Sequence, residues 1–148
     1  MKYILIFLLF IIVANYIKHS AITGDPELML YVDLFSEEIK QPNQVNISFV
    51  DEIKDDDPIY KIIGSCNIFL FYKSIIIDRQ NFLEASKIER KALLYHELAH
   101  CICDLDHNNL QEMECHYSLM NELLPSQYCL EKHWDRYIKI LKHSCNND

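Results

Sequence analysis

Glycine is nearly absent: only Gly24 and Gly64 occur in 148 residues. That scarcity excludes glycine-rich phosphate loops and dinucleotide fingerprints, which need several glycines at fixed spacing so that the backbone can approach a phosphate. Internal repeats and low-complexity tracts are lacking too. Positive charge is in short supply. Against 22 Asp and Glu stand 14 Lys and Arg, for a formal net charge of −8. Lys2 and Lys18 are the only Lys or Arg among residues 1–21, which hold no Asp or Glu, so residues 22–148 carry a formal charge of −10. An acidic surface repels phosphate backbones, which argues against a nucleic-acid partner. The apolar run Tyr3 to Val13 falls short of the roughly 20 residues that span a bilayer comfortably.

What that run does fit is export. Met1-Lys2 followed by an apolar stretch is the layout of a secretory signal, and Ala14 and Ala21 offer weakly marked cleavage sites. Residues 1–21 are therefore expected to be a signal peptide or an uncleaved N-terminal membrane anchor, with residues 22–148 as one domain in a secreted or periplasmic protein. All six cysteines (Cys66, Cys101, Cys103, Cys115, Cys129, Cys145) lie beyond this segment. An even count in an exported chain reads as up to three disulfides, in any of fifteen pairings. Zinc thiolates are the competing reading, but no Cys-x-x-Cys pair is present and Cys101-Ile102-Cys103 has the wrong spacing.

The periodicities alternate between helix and strand. Asp25-Pro26 has the form of a helix start, and Leu28, Val32, Phe35 and Ile39 follow at helical spacing. Residues Val45 to Val50 alternate as a half-buried strand should, and Asp51 to Pro58 reads as an acidic solvated loop. Ile59 to Ile63, Asn67 to Tyr72 and Lys73 to Asp78 are expected strands, the last rich in β-branched residues. Ser86-Lys87-Ile88-Glu89 is a capping box that opens a helix, apolar nearly all round, through Ile102. Glu131 to His143 forms a closing helix with Trp134, Ile138 and Leu141 on one face. The expected fold class is α+β: a small mixed sheet, an N-terminal helix, a central buried helix and a C-terminal helix.

The buried helix carries the chemistry. His96 and His100 stand four apart, one turn above each other on one face, with Glu97 at the edge of that face. Two imidazoles so placed reach one zinc ion, and the glutamate can take a proton from a water on it. Two core histidines and a satisfied glutamate are the plainer reading. Yet three unpartnered polar groups in an apolar helix would cost about 1–3 kcal/mol each, and a shared metal ion removes that cost. A catalytic zinc wants a third protein ligand and one open position. His107 is the favoured third ligand, Asp106 is the alternative, and Glu122 or Glu131 from a later helix is a further possibility.

At this point the chain resembles the metzincin clan of zinc peptidases, whose pattern is His-Glu-x-x-His-x-x-Gly-x-x-His (or Asp) followed by a Met-containing turn. His96, Glu97 and His100 match, Asp106 falls on the third-ligand position with His107 one beyond, and Ser118-Leu119-Met120 resembles the Met-turn. Cys103 stands where the pattern has glycine. The resemblance is closer to small exported bacterial metallopeptidase-like proteins with an isoleucine-rich strand, His-Glu-Leu-Gly/Ala-His-Cys, an Asp-His pair and Cys-x-x-Ser-Ile/Leu-Met. It covers residues 25–140 loosely and 74–121 well. It implies a metzincin-like fold, the Met120 thioether beneath the histidines, a loop lengthened by one residue that delivers His107, and a Cys101–Cys115 disulfide.

These readings converge on a zinc-dependent metallopeptidase, with His96, His100 and His107 on Zn²⁺ and Glu97 as general base. Its partner is a peptide or protein substrate, lying along Ser74–Asp78 as a sheet edge, and the chain is expected to be a monomer. His116 and Tyr117 are lesser candidates for stabilising the intermediate. The alternative is a non-catalytic, zinc-stabilised exported binding module, its metal closed by Cys103, Asp106 or His116. A disulfide-stapled protein without metal is the third reading.

Overall fold

A computed structural model describes residues 24–42, 44–53, 63–69, 72–112 and 115–147. The expected export segment, most of the acidic loop and most of the strand expected at Ile59 to Ile63 lie outside the described residues. Among the described residues helix α1 (Pro26–Ile39) comes first, then strands β1 (Asn46–Val50), β2 (Gly64–Phe69) and β3 (Tyr72–Asp78). Helices α2 (Arg79–Glu84) and α3 (Lys87–Cys103) follow, then two short strands, β4 (Gln111–Glu112) and β5 (Cys115–His116), and the closing helix α4 (Gln127–Asn146). The fold is α+β, built on a three-stranded mixed sheet in the order β1-β3-β2.

Helix α1 starts as its sequence predicts, with Asp25 at the N-cap position and Pro26 behind it, and buries Leu28, Val32, Phe35 and Ile39. The Asp25 carboxylate does not cap the helix, however. It accepts from the Phe49 N–H instead, at 2.9 Å, and so ties the helix start to β1. Helix α3 opens with the full capping box: the Ser86 hydroxyl accepts from the Glu89 N–H while the Glu89 carboxylate accepts from the Ser86 N–H. From Ala92 to Ala99 every residue of α3 is buried, so it is the central helix.

Strand β3 runs parallel to β1, with Asn46 opposite Ser74, and antiparallel to β2, with Gly64 opposite Ile77. Two sequence expectations are corrected here. One strand was expected from Asn67 to Tyr72, but Asn67 to Phe69 belong to β2 and Tyr72 already opens β3. Ser74–Asp78 is not a sheet edge: it lies in the central strand, between the edge strands β1 and β2. The run Ile75-Ile76-Ile77 explains why, since strands covered on both faces carry consecutive apolar residues rather than alternating ones. Ile75 and Ile77 are fully buried and Ile76 partly so.

Three disulfides close the fold: Cys66–Cys101, Cys103–Cys145 and Cys115–Cys129. The pairing Cys101–Cys115 is thereby overturned, because β2 passes next to α3 and brings Cys66 to Cys101. Three disulfides suit an oxidising, extracytoplasmic environment. Among the described residues no helix is long and apolar enough to cross a membrane. Helix α4 begins four residues earlier than expected, capped by the Ser126 hydroxyl on the Cys129 N–H. Its backbone leaves helical geometry at His133, which is half-buried, whereas His143 is exposed.

Candidate metal centre

Helix α3 supplies His96 and His100 on one face, and the chain then has to turn back. Helical geometry ends at Cys103, and Asp104 takes the left-handed conformation (φ 56°). Aspartate tolerates that region better than most residues, and here it makes the turn for which glycine would be the usual choice. The Leu105 N–H reaches back to the Ala99 carbonyl, and His107 arrives beside the two helical histidines.

The three imidazoles converge. Ligand atoms of His96, His100 and His107 all lie within 4.8 Å of one another. The His96 Nε2 stands 3.0 Å from the His100 Nε2 and 3.2 Å from the His107 Nε2. The opposite ring nitrogens fix the tautomers. His96 Nδ1 faces the Leu119 carbonyl at 2.7 Å, and His100 Nδ1 faces the Leu105 carbonyl. A carbonyl only accepts, so each Nδ1 carries the proton and each Nε2 of these neutral rings presents a bare lone pair. Two lone pairs 3.0 Å apart repel unless a cation lies between them. That arrangement can hold a metal ion.

Electrostatics favour the neutral rings a metal requires. Burial, foremost, lowers the His96 pKa to about 4; the Leu119 carbonyl opposes that shift, and the neighbouring His100 and His107 add to it. The His100 pKa is lowered too, again chiefly by burial, against the Leu105 carbonyl and Asp106. Glu97 is 6% exposed, and burial raises its pKa to about 7, partly offset by a hydrogen bond from the Cys66 backbone N–H. Without metal, a carboxyl so tuned gains and loses a proton near neutral pH.

The histidines and Glu97 line a cleft of about 800 Å³. Edge strand β2 contributes Gly64, Ser65, Cys66 and Ile68 to one wall, and Leu123 and Leu124 stand on another. Asp106 and Glu122 line this cleft but lie outside the group of convergent ligand atoms, and Glu131 is an exposed residue of α4 bonded to Gln127. Cys103 is committed to its disulfide with Cys145. The side chain of His116 lies outside the described residues, and Tyr117 is exposed and does not line the cleft. Met120 is buried in the core, while the residue before it, Leu119, supplies the carbonyl that holds His96.

Sequence reasoning missed three groups here. The Leu119 and Leu105 carbonyls leave no trace in residue identity. Gly64 did leave one: a lone strand glycine in a chain with only two often marks a close approach, and Gly64 abuts Glu97. Compared with known proteins, the chain matches no family model, and no curated protein or solved structure proves similar to it.

Proposed function

We propose that the chain is an exported zinc-dependent metallopeptidase. One observation carries this reading: three imidazoles turn ring nitrogens towards a single point beside a buried carboxyl, in a cleft walled by strand β2 at the edge of the sheet. Zinc suits the donors. A tetrahedron with Zn–N bonds of about 2.0–2.1 Å has edges of roughly 3.3–3.4 Å, close to the 3.0 and 3.2 Å separations between these nitrogens. Among the described residues no fourth His, Cys, Asp or Glu joins the group, which favours an open coordination position over a closed structural site. The resemblance to metzincins points the same way, with His107 as third ligand in place of Asp106.

Zinc, when bound, supplies a Lewis acid that makes water a nucleophile near neutral pH and polarises a carbonyl. The protein's own groups do the rest. Glu97 accepts the water proton and later hands it to the leaving amine, a role that its place in the cleft beside the three imidazoles allows. The carbonyls of Leu119 and Leu105 hold His96 and His100 in orientation. An extended peptide lies along β2, the edge strand that borders the cleft, where backbone pairing holds any sequence.

The test is a mixed peptide library offered to the purified, oxidised protein and to Glu97→Gln. Both proteins should bind one zinc per chain by elemental analysis, and only the wild type should cleave. Equal cleavage by the variant sinks the assigned role of Glu97. A metal-free protein indifferent to chelators sinks the whole reading.

A further inference from the structure

Strand β2 meets the Glu97 carboxylate in three ways. At Gly64, an added Cβ would lie 2.8 Å from both Cγ and Oε1 of Glu97 and 3.0 Å from its Cδ. The φ of Gly64 is not positive, so the backbone there accepts any residue. The nearest obstacle to a side chain there is the side chain of Glu97. Two residues on, the Cys66 backbone N–H donates to that carboxylate. The Cys66 sulfur is bonded to Cys101, whose Cα stands 5.5 Å from its own. Cys101 lies four residues beyond Glu97, on the same face of α3. The strand is thus stapled to the helix one turn from the carboxylate it touches.

Core packing alone does not account for this. An apolar side chain at position 97 would fill the space without the desolvation a buried carboxylate incurs. A side-chain-free strand position, an outward amide and a covalent staple all serve a carboxylate that must stay in one place. We infer that the segment Gly64–Cys66, fixed by the Cys66–Cys101 disulfide, is the positioning element for Glu97: Gly64 leaves the space the carboxylate occupies, and the Cys66 amide sets its orientation. The inference rests on the proposed peptidase reading for its catalytic consequence, but not for its geometry.

Gly64→Ala in the oxidised full chain is the test. Metal content should be unchanged and KM should stay within about threefold, while kcat falls roughly 100-fold, because misplacing a reacting group by about 1 Å costs that much. Two further measurements need no turnover. In the metal-free protein, exchange of the Cys66 amide should quicken roughly tenfold in Gly64→Ala and in Glu97→Ala, with the amides of β3 unaffected. Gly64→Ala should lower Tm by about 5 °C when Glu97 is present and hardly at all in a Glu97→Ala background, where the space is free. Equal Tm losses in both backgrounds, or a Cys66 amide indifferent to Glu97→Ala, would overturn the inference. If the exchange and Tm results hold while no version of the protein cleaves a peptide, the positioning element stands and the peptidase reading falls.

Discussion

His96 and Glu97 are neighbours on α3 with opposite proton preferences, and that opposition is measurable in the metal-free protein. Glu97 has its pKa raised from 4.5 to about 7, so between those values the folded chain holds a proton the unfolded chain has released. Its contribution to stability is fully present below pH 4.5 and is lost as pH rises towards 7. His96 has its pKa lowered from 6.5 to about 4, so the folded chain lacks a proton that the unfolded chain binds. Its contribution grows as pH rises from 4 to 6.5. The two slopes oppose each other across their shared window. Glu97→Gln removes the falling one. With metal chelated, the variant should match the wild type near pH 4.5 and exceed it increasingly up to pH 7, by an amount on the order of 3 kcal/mol. Urea unfolding at several pH values measures the difference; a gap that does not widen with pH would refute the assignment. At this scale the sequence was informative where a spacing carries meaning, as for His96, Glu97 and His100. It was silent on backbone carbonyls, because any residue offers one.

The elements were legible in proportion to how local their signals are. Capping of α3 depends on Ser86 and Glu89 alone, and the structure has both reciprocal bonds. Ser86→Ala should therefore cost about 1 kcal/mol, as N-cap losses do. Chemical denaturation reads that directly, and a loss below a few tenths would mean the box does not hold the helix. Asp25 was equally visible as a helix start, but its carboxylate bonds to Phe49 in β1, a long-range contact that N-cap statistics do not contain. Asp25→Asn should accordingly weaken the docking of α1 on β1 rather than the helix itself. Faster exchange of the Phe49 amide than of the first amides of α1 would show it. Strand order was only partly legible in periodicity. Ser74–Asp78 looked like a substrate-binding edge until β1 and β2 were seen to flank it on both sides, although its consecutive isoleucines already spoke for a central position.

Across the whole molecule, the disulfides frame the candidate metal centre, and their pairing depends on which elements meet in space. Cys66–Cys101 joins edge strand β2 to α3, Cys103–Cys145 joins the end of α3 to α4, and Cys115–Cys129 joins the β4–β5 ribbon to α4. That ribbon begins just after His107, and its return arm carries Leu119. The Asn108 N–H bonds to the Met120 carbonyl, which locks the two arms together beside the site. One ribbon therefore delivers both the third imidazole and the carbonyl that orients the first. Its far end is tied to α4 by a bridge that closes a short loop, a separation of 14 residues against 42 for Cys103–Cys145. Loop-closure entropy makes that bridge the smaller contributor to stability, about 3 kcal/mol against about 4. Its effect on the metal should nevertheless be large, since loosening the partner of a ligand histidine commonly lowers affinity 10–100-fold, roughly. Replacing Cys115 and Cys129 by serine should thus give a folded protein that surrenders zinc to a competing chelator much more readily. Unchanged affinity in that variant would mean that the Leu119 carbonyl is held by the core alone and that the ribbon plays no part in securing the metal.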